Sequence, residues 1–470
     1  MSTSTPNQRH DQIVERIRSR VELAREAGEK PRITHGGSTR STRMEEFEHT
    51  IDVGDLDSVL SIDTGAKTVT VEPNVSMREL VDATLEEGLV PPVVPEFPEI
   101  TVGGAIQGAG GESGSFQYGG FHTLATSAEY VLGDATVVEA SAEENEDIFY
   151  GAPCSCGSLG IITRATLELV EAEPYVKVEY RDVHSTDEMV SGIEEAVEEE
   201  SADFVDGIMF EPSYGAVLVG ELSPDDPSLP KRTIANATDD WFYKQAERRA
   251  VHVGTPADLI PIRDDLFRYD RGAFWTGKYV FHRVGVPYTR VSRTLMDPFF
   301  HTAPMYHALH ATDMSFDFVI QDICMPVETV REFVDWIDEN LGVYPLWYCP
   351  VKKEDEEKAF LSPAAIDTEI AVNVGVWGPV PEGEEFYEVN RELERVATDL
   401  GGRKILYSQQ FYPEGEFWEK FDADRYQRLR ERCDAEDVFD DMWQKTHVGD
   451  DAEASVRKAW FEVLAAPFRV

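Results

Sequence analysis

Residues 95–120 read PEFPEITVGGAIQGAGGESGSFQYGG, and eight of these positions are glycine. A run this dense in glycine, with no aliphatic helix or strand pattern, predicts a backbone cradle for an anion. Its chain can take positive φ angles, approach a ligand closely and converge successive N–H groups on a phosphate. A diphosphate is the occupant such a loop suits. Two other phosphate loops fail the test. A Walker A loop ends in Gly-Lys-Ser/Thr, and no lysine stands between Lys67 and Lys177. The βαβ dinucleotide fingerprint needs an apolar strand before it and a helix after it, whereas residues 89–98 carry Pro91, Pro92, Pro95 and Pro98 and the last glycines lie among polar residues. Thr101, Val102, Ile106, Phe116 and Tyr118 punctuate the run with side chains that want burial, which argues against a flexible linker.

The chain's 470 residues allow one large or two medium domains, each with its own core. Lys and Arg total 43 against 89 Asp and Glu, a net charge of −46, and such a surface repels nucleic acid and anionic lipid. The acids are dispersed rather than gathered in a tail. That pattern suits a molar-salt cytoplasm, where the Debye length falls to ~3 Å and self-repulsion is screened. Cys154, Cys156, Cys324, Cys349 and Cys433 are an odd number without a secretory signal, so reduced thiols in a cytoplasmic protein are expected. Neither they nor the eleven histidines fall at metal-ligand spacing, and no metal is expected. No apolar run approaches the ~20 residues needed to span a bilayer.

Punctuation divides the chain into an amphipathic helix within residues 1–29, a mixed domain over 30–175, a second mixed domain over 176–400 and a helical, aromatic segment over 401–470. Apolar alternation predicts a strand at 68–71. Ser76-Met-Arg-Glu79 is a capping box that opens a helix closing at Gly88. Segments 128–132 and 135–139 flank Gly133-Asp134 as a hairpin, and 160–170 form a longer strand. In the second domain strands are expected at 316–325, 344–350 and 371–377, and helices at 329–340 and 384–400. The fold class is α+β.

With these elements placed, a resemblance emerges. HGGSTRST (35–42), VEPNVSMRELVDATLEEG (71–88), TVGGAIQGAGGES (101–113) and DIFYGAPCSCGSLGIIT (147–163) resemble, in this order, the PCMH-type FAD-binding domain of the vanillyl-alcohol-oxidase superfamily. VIQDICMP (319–326), VYPLWYCP (343–350) and EFWEKFDADRYQRLRER (416–432) are similar to the cap and C-terminal patterns of one family within it, the delta-24 sterol reductases or Diminuto-like proteins. The likeness runs over most of residues 32–445. It implies that Thr101, Val102, Gly103, Gly104, Gly108, Gly110, Gly111, Glu112, Ser113 and Tyr118 bind the FAD diphosphate region, supported by Gly36, Gly37 and Ser38 and by Gly157, Ser158, Gly160 and Ile162. Ser38 or Thr39 stands where covalently flavinylated members carry histidine, so dissociable FAD is expected. The eukaryotic members begin with a membrane-spanning helix that has no counterpart here, so no integral membrane segment is expected, while peripheral membrane contact stays open. A small lipid-like substrate is implied, with NADPH or NADH as electron donor.

Reducing an isolated C=C bond takes hydride to one carbon and a proton to the other, so an acid is needed near the flavin. Asp322 is the first candidate, because a strand at 316–325 puts it on one face with Phe316, Phe318 and Ile320, and an apolar wall raises a carboxyl pKa. Gln321 points the opposite way, so only one of the pair can face the flavin. Tyr407, Tyr412 and His282 are further donor candidates, and Trp347 and Tyr348 are candidate substrate-channel residues. An oxidase or dehydrogenase of an alcohol, hydroxy acid or sugar on the same fold is the alternative, since fold does not fix function.

Overall fold

Alternation in the first third of the chain resolves into a five-stranded antiparallel sheet, ordered Val59–Asp63, Thr68–Val71, Ile161–Glu168, Ala125–Val131, Val137–Ser141. It is seen in a computed structural model that describes residues 6–35, 49–251, 257–312 and 314–448. The expected capping box is formed: Ser76 Oγ accepts from the Glu79 amide and Glu79 reaches back to Ser76 N, opening the Met77–Glu86 helix. Gly88 ends that turn at φ 70°, where a side chain would be strained. The hairpin around Gly133 is also present, pairing Val131 with Val137. Gly133 owes its identity to packing, since a Cβ there would lie 1.9 Å from the Asp434 carbonyl oxygen.

The second sheet has eight antiparallel strands, ordered Ala257–Pro261, Tyr175–Val183, Tyr214–Ser223, Phe204–Glu211, Leu346–Lys352, Ile370–Pro379, Phe318–Pro326, Arg403–Lys404. Helices Thr186–Val197, Val330–Asn340 and Phe386–Asp399 bury their apolar stripes on one face. Alternation within a strand assigns each side chain to a layer. Val319, Ile323 and Met325 pack toward the helices, while Phe318, Ile320 and Cys324 join the larger core on the other face. That strand begins at Phe318 rather than Phe316, because Met314–Asp317 forms a 3-10 turn.

Helix Pro6–Ala27 lays Ile13, Ile17, Val21 and Ala24 into the core. The C-terminal segment joins the two halves. Arg403–Lys404 becomes an edge strand of the large sheet, and Ala423–Arg432 packs back on the first domain, where Tyr426 donates to Ser158 Oγ at 2.7 Å and Arg430 to Ser158 O at 2.8 Å.

Candidate active site

A cavity of about 290 Å³ lies where the glycine run meets the face of the large sheet opposite helices Thr186–Val197, Val330–Asn340 and Phe386–Asp399. The first domain lines it with Thr101, Gly103, Gly104, Gly108, Gly110, Gly111, Gly157, Gly160 and Ile162, the second with Asp322, Trp347 and Asn373, and the C-terminal segment with Ile405 and Tyr407. The glycine run is not an open loop. Thr101 caps a helix, Val102–Gln107, by accepting from Gly104 N at 3.1 Å, and the chain leaves that helix through Ala109 at φ 57°. Among the eight glycines only Gly119 has positive φ, which corrects the expectation of a left-handed loop. Glycine is required for a different reason. A Cβ on Gly103 would lie 2.6 Å from Pro73 Cβ, and one on Gly110 would lie 3.0 Å from Pro95 Cγ and 3.2 Å from Ala105 Cβ, so neighbours already occupy the space.

The polar wall fits a diphosphate. The Ala109 and Gly111 amides, outside the helix, donate to no protein acceptor among the described residues. Gln107 accepts at Oε1 from Gly157 N and Ser155 Oγ, both at 3.0 Å, while its Nε2 is buried with no partner among the described residues. Two cations that local sequence does not reveal reach the same wall, Arg32 and Lys445, the latter held by the carbonyls of Cys156 and Gly157. These residues would hold the FAD diphosphate by hydrogen bonds and charge.

The same cavity also carries acids. Asp322 accepts from Asn373 Nδ2 at 2.8 Å, from Trp377 Nε1 at 3.1 Å and from the Tyr407 hydroxyl. Burial pushes its carboxyl above the usual range, and the three donors pull it back. Burial and the neighbouring Asp322 push the Tyr407 hydroxyl well up. Glu96, which motif reasoning missed, lines the same cavity at 8 % exposure; burial raises it to about 8. Its signal in the sequence was a carboxylate between two prolines directly before the glycine run.

The other candidates lie elsewhere. Val102 is core, its amide bonded to Val75 O. Glu112 and Ser113 are buried behind the glycines, where Arg268 donates to Glu112 Oε1 at 2.6 Å and to Ser113 Oγ at 3.1 Å. That arginine also bonds Asp206, whose Oδ2 accepts from Trp347 Nε1 at 3.0 Å, so Glu112 ties the glycine run to the sheet rather than lining the cavity. Tyr118 is 37 % exposed, and Ser158 is buried under Tyr426. Gln321 points to the helix layer as expected, donating to Asn390 Oδ1 at 2.6 Å. Tyr348 points there too, because it neighbours Trp347 in one strand and must face the opposite way. Tyr412 is buried in the core outside the cavity lining. His282 is exposed on helix Thr276–Arg283. Gly36, Gly37, Ser38 and Thr39 lie outside the described residues.

Residues 12–141 match the sequence profile of the FAD binding domain family. The chain is 27 % identical over 449 residues to the delta(24)-sterol reductase of Homo sapiens, covering 93 % of this chain and 86 % of the relative. It is 27 % identical over 469 residues to the delta(24)-sterol reductase homolog of Caenorhabditis elegans, covering 94 % and 88 %. Similarity to the L-gulonolactone oxidase of Mus musculus, at 30 %, spans only 33 % of this chain.

Proposed function

We propose, from the premise that this chain is an FAD-dependent homologue of the delta(24)-sterol reductases, that it reduces an isolated C=C bond of an isoprenoid-like lipid with NADPH or NADH as electron donor. The observation that carries this reading is one continuous cavity. Its lining combines glycine-run amides that have no acceptor among the described residues with the carboxyl groups of Glu96 and Asp322 and the apolar side chains of Phe97, Trp347 and Ile405. FAD held by the glycine wall would supply hydride transfer. The chain's own residues do the rest. Apolar side chains receive an alkene that offers no hydrogen bonds, and they exclude water. Trp347 is held in place by its bond to Asp206, and Asp322 orients the Tyr407 hydroxyl. The same proposal includes dissociable FAD, reduced thiols and a cytoplasm of high salt. Among the described residues no helix is long and apolar enough to cross a membrane.

Oxidation of an alcohol, hydroxy acid or sugar is the second reading, favoured by the gulonolactone oxidase similarity. Anaerobic half-reactions in molar KCl distinguish the two. NADPH or NADH should bleach the flavin absorbance, and an isoprenoid alkene such as farnesol should restore it. Bleaching by a sugar or polyol with none by either nicotinamide replaces the first reading with the second.

A further inference from the structure

We infer that Glu96 is the proton donor of this site, a role that rests on the alkene-reducing reading. Three acids line the cavity; Glu99 is exposed and paired with Arg78 at 2.8 Å, and the two buried ones, Asp322 and Glu96, differ in their surroundings. Asp322 stands on the sheet with two N–H donors and a hydroxyl directed at its oxygens, contacts that favour its charged form against the burial that raises it. Glu96 enters from the opposite domain, in a segment pinned across the glycine run by Pro95 beside Gly110 and by Phe97 against Phe274 and Trp377. Among the described residues no hydrogen bond from another residue's side chain or amide to its carboxyl is seen, so only its own amide and the field of Arg268 compensate a negative charge there. Glu112 and Asp322 add negative field at this point and Arg268 opposes it, while Tyr306, Tyr407 and Cys349, which also sense Glu96, are themselves kept neutral by burial. The outcome is two carboxyls divided by environment: three donors favour the charged form of Asp322, whereas burial without a donor from another residue favours the neutral form of Glu96.

In the step, hydride adds to one alkene carbon, the π pair takes the proton of the Glu96 carboxyl at the other, and the glutamate left behind is reprotonated from solvent before the next turnover. The charge left on Glu96 lies near Asp322, which favours rapid return of the proton.

Three measurements test this. The infrared carboxylic C=O band of the protein at pH 7 should weaken in Glu96→Gln relative to wild type and persist in Asp322→Asn. The thermal midpoint of Glu96→Gln should exceed that of wild type above pH 8, with the gain vanishing below about pH 4.5. The sign follows from the raised value: the folded protein must hold or lose a proton that the unfolded chain releases freely, a penalty that grows between those limits. Reoxidation of reduced flavin by farnesol should slow about 10²–10⁴-fold in Glu96→Gln, far more than reduction by NADPH, with partial recovery in Glu96→Asp. An unchanged infrared band, or equal slowing of both half-reactions, overturns the assignment. Failure of wild type to reoxidise with any alkene would instead reject the reductase reading, and the first two measurements would still report on Glu96.

Discussion

At the scale of single residues, the site depends on which atoms have partners and which do not. With all its donors in place, Asp322 acts on its surroundings through charge and through Tyr407. Asp322→Asn should therefore slow alkene reoxidation on the order of tenfold, move its alkaline limb to lower pH and leave flavin reduction by NADPH little changed. A loss of about 10²–10⁴-fold without a shifted limb in stopped-flow traces would identify Asp322 itself as the donor. Gly110 is set by packing. Gly110→Val puts side-chain atoms into Pro95 and Ala105, so the purified variant should carry little FAD per polypeptide, and a wild-type ratio would remove the glycine wall from the cofactor site. Acid precipitation of the wild type should leave a colourless pellet.

At the scale of elements, the N-terminal helix shows how a regular pattern is locked by one irregular residue. Periodicity at Ile13, Ile17 and Val21 says which face is buried. It does not show that His10 lies between two carboxylates, 2.8 Å from Glu72 and 2.9 Å from Glu129. Burial opposes its charge, but the hydrogen bonds to Glu129 and Glu72 prevail and raise it to about 9. A raised histidine contributes stability that is complete below pH 6.5 and is lost as pH climbs through 9. Glu129 is shifted down, so its share is lost as pH falls below its ordinary range. Protection of the helix amides, taken relative to their base-catalysed intrinsic exchange, should be greatest near pH 6 and fall toward pH 10. In His10→Gln this alkaline fall in protection should disappear, with a loss on the order of 2 kcal/mol at pH 6; a fall as steep as wild type would place the pH response elsewhere.

At the scale of the whole molecule, the dominant fact is a net charge of −46. Screening decides how much of that repulsion the fold must withstand: the Debye length is ~10 Å at 0.1 M and ~3 Å at 1 M. The thermal midpoint should rise substantially between 0.1 M and molar KCl, and a flat midpoint would reject the high-salt proposal. Against this repulsion the two halves are joined through buried polar contacts, Arg268 to Glu112 and Asp206 on one side and Arg430 to Ser158 on the other.

Elements whose signal is local were legible in the chain alone. The capping box at Ser76, the hairpin at Gly133, the helix at residues 330–340 and the opposite facing of Asp322 and Gln321 all follow from periods of 2 and 3.6 and from turn chemistry. The glycine run announced a backbone approach to an anion, but why each glycine is needed was hidden, because the atoms that exclude a Cβ belong to Pro73 and Pro95. Which acids share the cavity was likewise beyond local pattern. Glu96 and Asp322 stand 226 positions apart (322 − 96) and meet only when the glycine run lies on the sheet. Protonation followed the same rule: residue type set the ordinary carboxyl range, whereas the number of donors and the depth of burial that separate Glu96 from Asp322 arise from tertiary packing, which removes water from both and supplies donors to only one.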